Sequence, residues 1–230
     1  MRQKALIIVG LLLAFTVFPS CSSSPEKGLL TRYFNAVALN DNATMSTMAL
    51  EPLHLEVTSW EILSVSPEKV DPASLPGLNK KEQELKKTLE AHVGPTLDAK
   101  SALDAATDEL DMARTAAAKA AGKKKVADLQ AKYDEEYNKQ KEFQKNYNDA
   151  KAASTAEEEI TKFSLGVLDL ATIRDLTGDV HTKTVDIKVK DKAGAVKNYR
   201  LAMKLFVLKD ETSGMRFNGH WVITKFEPVG

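Results

Sequence analysis

Residues 79–162 constrain the fold most strongly, because few structures other than long α-helices suit their composition. This stretch holds 17 alanines, 16 basic and 17 acidic residues, but only one proline and two glycines. Alanine and the long charged side chains have high helix propensities, whereas glycine and proline have the lowest. Because a turn signal also lies near the middle, we predict a long antiparallel coiled-coil hairpin inserted into the rest of the chain.

The predicted hairpin has arms at residues 79–121 and 123–162, joined at Gly122. Three lysines follow this glycine and favour an exposed tip, whereas Gly94-Pro95 predicts a kink or break in the first arm. Seam residues recur at steps of three and four, which is typical of a coiled coil. They are Leu103, Ala106, Leu110, Ala113, Ala117 and Ala120 in the first arm, and Val126, Leu129, Tyr133, Gln140, Phe143, Tyr147 and Ala150 in the second.

The flanking residues, 29–78 and 163–230, predict an α+β domain. Amphipathic segments at 29–39 and 43–50 indicate two helices, and the β-branched and aromatic residues of 55–65 indicate a strand. The apolar alternation changes parity near Ser59, which predicts a bulge there. Residues 160–176 fit a helix capped by Ser154, although Gly166 interrupts the pattern. Alternation around a loop at 192–195 predicts strands at 184–190 and 199–207, and a last strand covers 219–226.

The first twenty residues predict a secretory signal. Arg2 and Lys4 precede an apolar run at 5–18, and small residues follow. The run is shorter than the ~18 residues that usually span a bilayer, so we expect cleavage rather than a retained transmembrane helix. Residues 21–28 are then a short flexible tether to the fold.

The end of this segment resembles the lipobox of bacterial lipoproteins, with Ser20 before the cleavage point and Cys21 after it. The resemblance implies lipidation of Cys21, palmitate included, and anchoring to a membrane. Ser22 is similar to the residue that permits sorting to the outer membrane, so we expect the periplasmic face of that membrane. A cleaved and unlipidated exported protein is the alternative.

Composition excludes several kinds of function. The formal net charge is zero, and removal of the leader leaves 30 basic against 32 acidic residues, so no electrostatic feature favours nucleic acid. Cys21 is the only cysteine; once acylated, it leaves no disulfide, cysteine-bound zinc or thiol nucleophile. The four histidines show no metal-binding spacing. We predict neither a metal nor a cofactor.

Two short motifs resemble the nuclear-transport-factor-2-like proteins. Tyr-Phe-Asn-Ala-Val-Ala-Leu-Asn-Asp at residues 33–41 is similar to their opening helix, and Gly-His-Trp-Val-Ile at 219–223 is similar to their closing strand. The resemblance implies a curved antiparallel sheet wrapped around the N-terminal helices as a cone that often holds a pocket. The aromatic residues expected to line such a pocket, or else to form core, are Tyr33, Phe34, Trp60 and Trp221.

Some members of this superfamily, such as ketosteroid isomerase and scytalone dehydratase, transfer protons with Asp, His or Tyr. Their chemistry would fall here to Tyr33, Asp41, His181 or Asp186. The sequence contains no nucleophile elbow and no phosphate-binding glycine loop, so we predict that the chain is not an enzyme.

We therefore predict an envelope lipoprotein that acts as a protein-interaction or structural module through its hairpin. The candidate partner surface comprises Lys123, Lys124, Lys125 and Tyr137, and an envelope protein is the expected partner. A ligand-binding cone is the alternative, and an isomerase-like enzyme is a weaker one. The helix seams could also pair between chains and give an oligomer.

Overall fold

A computed structural model describes residues 24–167 and 169–229. Within them the chain combines long helices with a six-stranded antiparallel sheet that curls into a half barrel, which confirms the α+β class. The helices are α1 (Pro25–Ala38), α2 (Asn42–Met45), α3 (Leu75–Met112) and α4 (Ala116–Leu165), with a 3₁₀ turn at Ile173–Asp175. The strands are β1 (Val57–Val65), β2 (Lys69–Pro72), β3 (Thr177–Asp191), β4 (Val196–Lys209), β5 (Arg216–Asn218) and β6 (Val222–Val229).

The long β3–β4 hairpin forms the centre of the sheet. β1 and β2 pair with successive parts of the outer edge of β3, and β6 and β5 do the same on β4. The loop between β3 and β4 lies where the sequence predicts it, and a register shift between Val57 and Ser59 confirms the predicted bulge.

Helices cover both faces of this hairpin, each at a different end. The β3–β4 register runs without a shift, and side chains alternate across a strand. The pair formed by Val185 and Leu201 therefore faces α1 and α2, whereas the pair formed by Val180 and Phe206 faces the ends of α3 and α4. The fold thus has two hydrophobic clusters, one on each side of the sheet.

The first turn of α1 lies in a segment that the sequence predicts to be a flexible tether. Pro25 begins the helix, and its fixed φ suits that position. Glu26 is buried and bonded to Lys183 of β3, which fixes this turn on the sheet. The tether prediction is therefore wrong for residues 25–28, while residues 21–23 lie outside the described part.

The two long helices meet at 113–115 and not at Gly122, so the predicted tip is wrong. The hydroxyl of Thr115 accepts a hydrogen bond from the backbone N–H of Ala118 and caps α4. Gly122 lies within α4, close to Leu110 of α3. Helix α3 also continues through Pro95, where the sequence indicates a kink or break.

Several features of the sheet and of α4 differ from the sequence prediction. β3 begins at Thr177, before the predicted start at 184, and β2 and β5 lie in segments where the sequence predicts no strand. β6 is displaced toward the C-terminus, at Val222–Val229. α4 continues past Ser154 without a new cap, because the Ser154 hydroxyl donates to Glu82 of α3 instead.

Candidate functional site: the long helix pair

Helices α3 and α4 run antiparallel and bury one side of each along a repeat of three and four. Every residue of α3 from 82 to 110 and of α4 from 126 to 154 that is not exposed belongs to this repeat. In α3 these are Glu82, Leu85, Leu89, His92, Thr96, Ala99, Leu103, Ala106 and Leu110; in α4 they are Val126, Leu129, Tyr133, Glu136, Gln140, Phe143, Tyr147, Ala150 and Ser154.

The predicted seam is confirmed for Leu103, Ala106, Leu110 and all seven positions of the second arm. It is wrong for Ala113, Ala117 and Ala120. Ala113 falls in the link between the helices, and Ala117 and Ala120 are exposed at the start of α4. The misplaced tip explains this error, because a tip at Gly122 extends the predicted seam of the first arm beyond the residue where α3 ends.

The middle of the seam is polar. His92 Nε2 lies 3.2 Å from a carboxylate oxygen of Glu136 and 3.2 Å from its carbonyl oxygen. The same imidazole meets Phe143 edge-on, with ring centroids 5.0 Å apart. Polar groups at seam positions specify register at a cost in stability, so this part of the seam aligns α3 against α4.

Salt bridges and hydrogen bonds attach the base of the helix pair to the 3₁₀ turn and to the sheet. Arg174, in the 3₁₀ turn, bonds Glu82 of α3 at 2.8 Å and Glu158 of α4 at 2.6 Å. The hydroxyl of Ser154 donates to the same Glu82 carboxylate. Glu157 of α4 accepts from Lys204 of β4 at 2.8 Å. We call these six residues, Glu82, Ser154, Glu157, Glu158, Arg174 and Lys204, the basal cluster.

Protonation states in the basal cluster follow from these contacts. The hydrogen bond from Lys162 lowers the pKa of Glu158 below its usual value; burial opposes this shift, and the bond from Arg174 adds to it. The hydrogen bond to Glu158 likewise raises the pKa of Arg174. The charged forms of Glu158 and Arg174 are therefore favoured, and their ion pair links α4 to the 3₁₀ turn.

The end of α4 is also bonded directly to the sheet. The hydroxyl of Ser164 donates to the carbonyl of His220 at 2.8 Å and accepts from the backbone N–H of Phe206 at 3.2 Å. Gly219 packs closely against the end of α4 and against β4. A Cβ at this position would be 2.5 Å from Ser164 Oγ and 2.8 Å from the Phe206 carbonyl oxygen. The base of the pair is thus a tight joint.

Beyond this joint, the described contacts of the two helices are with each other. The hydrogen bonds, ion pairs and aromatic contacts that join them to the rest of the described chain involve only residues 74–82 and 154–165. From Glu82 to Met112, α3 therefore projects over about 45 Å at 1.5 Å per residue.

Apolar side chains are exposed near the middle of this projection. Leu97 is 61% exposed, Tyr137 41% and Val93 39%. Tyr133 stacks on Tyr137 with ring centroids 5.7 Å apart, and Lys100 of α3 lies 5.9 Å from the Tyr133 ring. These contacts place Lys100, Tyr133 and Tyr137 on one side of the pair. Helical spacing places Val93 and Leu97, seven and three residues before Lys100, on the same side of α3. We call this surface, Val93, Leu97, Lys100, Tyr133 and Tyr137, the exposed face.

The residues of the predicted partner surface lie apart from one another. Tyr137 belongs to the exposed face. Lys123, Lys124 and Lys125 are exposed within the second and third turns of α4, and Lys125 pairs with Glu109 of α3 at 2.6 Å. Val93 and Leu97 are absent from the sequence prediction. The sequence feature that could have revealed them is an apolar residue at a position outside the seam of a charged helix.

The four predicted pocket aromatics pack together with the α1 core. Tyr33 and Phe34 are buried, and Phe34 stacks on Trp60 with centroids 4.9 Å apart. Burial raises the pKa of Tyr33 to about 12, although the Leu53 N–H bonds its oxygen and opposes the shift. Trp221 lies half-buried under Lys183, which is 5.1 Å from its ring.

The other residues considered for proton transfer do not meet in one site. Asp41 caps α2 through Thr44, and Asp186 pairs with Arg200 at 2.7 Å on the sheet surface. His181, on the central strand β3, has its Nδ1 2.6 Å from Glu68, which lies between β1 and β2. Each group therefore has a structural partner of its own.

A shallow groove lies where α4 ends beside the segment after α2. It has a volume of about 560 Å³, and its lining includes Leu50, Phe163, Val167 and His220. The sequence gives no signal for it, because the groove forms from three segments that are distant along the chain. Among residues 24–167 and 169–229, no group of three His, Cys, Asp or Glu side chains is arranged to hold a metal.

The comparisons with known proteins add no assignment. Neither protein families nor curated proteins nor solved structures gave a match to this chain. In the described part of the chain, no helix has the length and apolar character needed to cross a membrane. Cys21 lies outside the described residues.

Proposed function

We propose that this chain is a lipid-anchored envelope protein whose α3–α4 pair is a non-enzymatic surface for binding another protein. The observation that carries the proposal is the exposed face, which lies on a projection fixed at one end. Soluble proteins expose single apolar residues routinely, but neighbouring ones on a defined surface favour an interaction site. Tyrosine is also among the residues enriched where proteins bind each other.

The basal cluster supports the same proposal. A partner that binds far from the sheet gains from a surface that is already ordered, because less entropy is lost on binding. Salt bridges among α3, α4, the 3₁₀ turn and β4 converge on the base, so the projection has a defined direction relative to the domain. Such a surface is suited to long, shallow contact with a protein.

We further propose that the pair is a coiled-coil hairpin and that the domain is a nuclear-transport-factor-2-like cone. Seam positions that alternate by three and four support the first, since this repeat imposes a left-handed supercoil. The curled sheet with α1 against one face supports the second. Burial of Tyr33 and Phe34 gives the alternative of a ligand-binding cone less support than the exposed face gives binding of a protein.

Export and lipidation at Cys21 complete the proposal. They rest on the basic, apolar and small residues of the first 21 positions, and Ser22 favours an outer-membrane location. Acyl chains would hold the protein at a surface, each buried CH₂ contributing about 0.8 kcal/mol. A Cys21→Ser variant should lose the acyl mass and leave the membrane fraction.

Crosslinking in intact envelopes tests the binding surface. The full chain should capture a partner that a Leu97→Ser/Tyr137→Ser variant no longer captures, because both changes remove apolar contact area. An Asp98→Ser/Asn146→Ser variant is the matched control, since helical spacing places both residues on the opposite side of the pair. Equal capture by all three forms, or capture by none, would contradict the proposal.

A further inference from the structure

One side of α3 carries charges in an order that is complementary to its own reverse. Six residues spaced by three and four lie along this side and overlap the exposed face. In chain order they are Lys86, Glu90, Val93, Leu97, Lys100 and Asp104, and all six are exposed. We call this row the α3 stripe.

Antiparallel pairing of two α3 stripes about position 95 matches every residue with a favourable partner. Lys86 of one copy lies opposite Asp104 of the other, and Glu90 lies opposite Lys100. At the centre, Val93 meets Leu97, which are 39% and 61% exposed in the single chain. Two-fold symmetry repeats each contact, so the stripe supplies four ion pairs around an apolar centre.

Parallel pairing in register gives the opposite result. It would place each charged residue of the stripe beside the same residue of the other copy, and like charges at such distances repel. Within one chain, Lys86 already lies 3.9 Å from Glu90, and Lys100 bonds Asp104. The charges are therefore ordered along the helix before a second copy arrives.

We infer that the partner of the α3 stripe is a second copy of this chain, bound antiparallel across a two-fold axis near position 95. This inference rests on the proposed function, because it uses the same exposed face and the same anchoring. It specifies the occupant: a self-complementary row of charges fits its own copy better than an unrelated surface.

The size of the contact sets the conditions under which it forms. The stripe spans 19 residues, about 27 Å of helix, so one α3–α3 contact is smaller than the ~1,200 Å² of a standard interface. Association is therefore weak in free solution. Two copies held on one membrane meet at a higher effective concentration, which favours the pairing.

A charge-swap experiment in membranes tests the inference. Two differently tagged full-length copies are expressed together, crosslinked at low reagent concentration, and captured through one tag. Glu90→Lys alone and Lys100→Glu alone should each reduce capture of the second copy about fivefold or more, because each places two like-charge pairs in the dimer. Glu84→Lys, on another side of α3, is the matched control and should have no effect.

Mixing the two single variants separates an interface effect from a folding effect. A Glu90→Lys copy paired with a Lys100→Glu copy places opposite charges at both contacts, so capture should return to the level of the unchanged chain. Damage to the fold of either copy would not be repaired by mixing. If the mixed pair is captured no better than each variant with itself, or if neither variant reduces capture, the inference is wrong.

The same membranes distinguish this failure from that of the proposed function. If the charge swaps leave self-capture unchanged while a different envelope protein is lost with Leu97→Ser/Tyr137→Ser, the face binds another protein and the self-pairing is wrong. If neither self-capture nor partner capture occurs with the unchanged chain, both proposals fail. Recovery of self-capture on mixing supports the pairing whatever other protein is found.

Discussion

Glu82 shows how one buried charge fixes the direction of the whole projection. It occupies a seam position of α3 that would otherwise suit leucine, and it accepts hydrogen bonds from Ser154 and Arg174. A buried carboxylate without a partner is strongly unfavourable, so its partners are structurally required. The basal cluster therefore holds α3, α4 and the 3₁₀ turn in one arrangement.

Replacement of Arg174 tests this requirement. Arg174→Met should lower the free energy of unfolding by about 3 kcal/mol, because it leaves Glu82 buried without its cation. Urea denaturation followed by circular dichroism measures the change. Arg200→Met is the control; its pair with Asp186 lies at the surface of the sheet and should contribute little to stability. Equal losses in the two variants would contradict the role of the cluster.

Glu26 gives a second prediction, in the dependence of stability on pH. Burial by itself would raise the pKa of Glu26, but hydrogen bonds from Lys183, its own backbone N–H and Ser24 outweigh it, and the pKa lies below the ordinary 4.5. A lowered carboxyl pKa contributes stability above about pH 4.5 that is lost as pH falls through the folded-state value.

Lys183→Met should therefore be destabilising by about 2 kcal/mol at pH 7, and the difference from the unchanged chain should shrink between pH 5 and pH 3. Tryptophan fluorescence during urea denaturation at several pH values measures it. Lys188→Met, which removes an exposed pair with Glu61, should show little difference at any pH. A constant difference for Lys183→Met from pH 7 to pH 3 would contradict the assignment.

Among the elements, α3 and α4 were the most predictable because their periodicity is long and uninterrupted. The repeat of the second arm predicted seven of the nine seam positions of α4 between residues 126 and 154, and it missed Glu136 and Ser154. The turn was misplaced because Gly122 with three lysines resembles a tip, whereas Thr115 before a run of alanines is the weaker N-cap signal that the structure uses. Gly122 is instead a point of close approach to Leu110.

Two glycine-to-alanine changes test these element boundaries. Gly122→Ala should leave stability unchanged or raise it by up to about 1 kcal/mol, since alanine favours helix and only the end of the Leu110 side chain must move. Gly178→Ala should lower stability by about 2 kcal/mol or more, because φ is 137° and the new Cβ would be 2.3 Å from the Val207 carbonyl oxygen.

Thermal unfolding of both glycine variants gives the comparison directly. If Gly122 were at a turn that requires its flexibility, the alanine variant would be clearly less stable, and the boundary of α4 would be wrong. If Gly178→Ala has no effect, the close approach of β3 and β4 is wrong.

In the sheet, local sequence predicted the middles of strands better than their ends. Alternation of Val185, Ile187 and Val189 indicated β3, but its first part has the opposite parity because it faces a different set of helices. No local pattern reports which face another element covers. The basal cluster was unpredictable for the same reason, since Arg174 meets Glu82 across 92 residues of chain.

At the scale of the whole molecule, the supporting domain and the proposed binding surface are separate parts of the structure. The α1 core and the sheet form the supporting domain. The basal cluster attaches the helix pair to this domain, and the exposed face lies well away from both. The composition of residues 79–162 indicated the projection, whereas the exposed face depends on which apolar residues the seam leaves uncovered. Val93 and Leu97 can be recognised as uncovered apolar residues only once the seam positions are known.

A shortened helix pair tests the central proposal most directly. Deletion of residues 92–105 and 128–141 removes two heptads from each helix, keeps the seam spacing, and leaves the basal cluster and the link at 113–115 in place. The exposed face and most of the α3 stripe are lost with it. Circular dichroism and membrane fractionation establish that the shortened chain is folded and located as before.

The decisive measurement is capture of partners from intact envelopes by this shortened chain beside the full one. If the exposed face is the binding surface, the full chain captures a partner, a second copy included. The shortened chain then captures none, although it is folded. Capture of the same partners by the shortened chain would place the working surface on the domain, and the central proposal would be wrong.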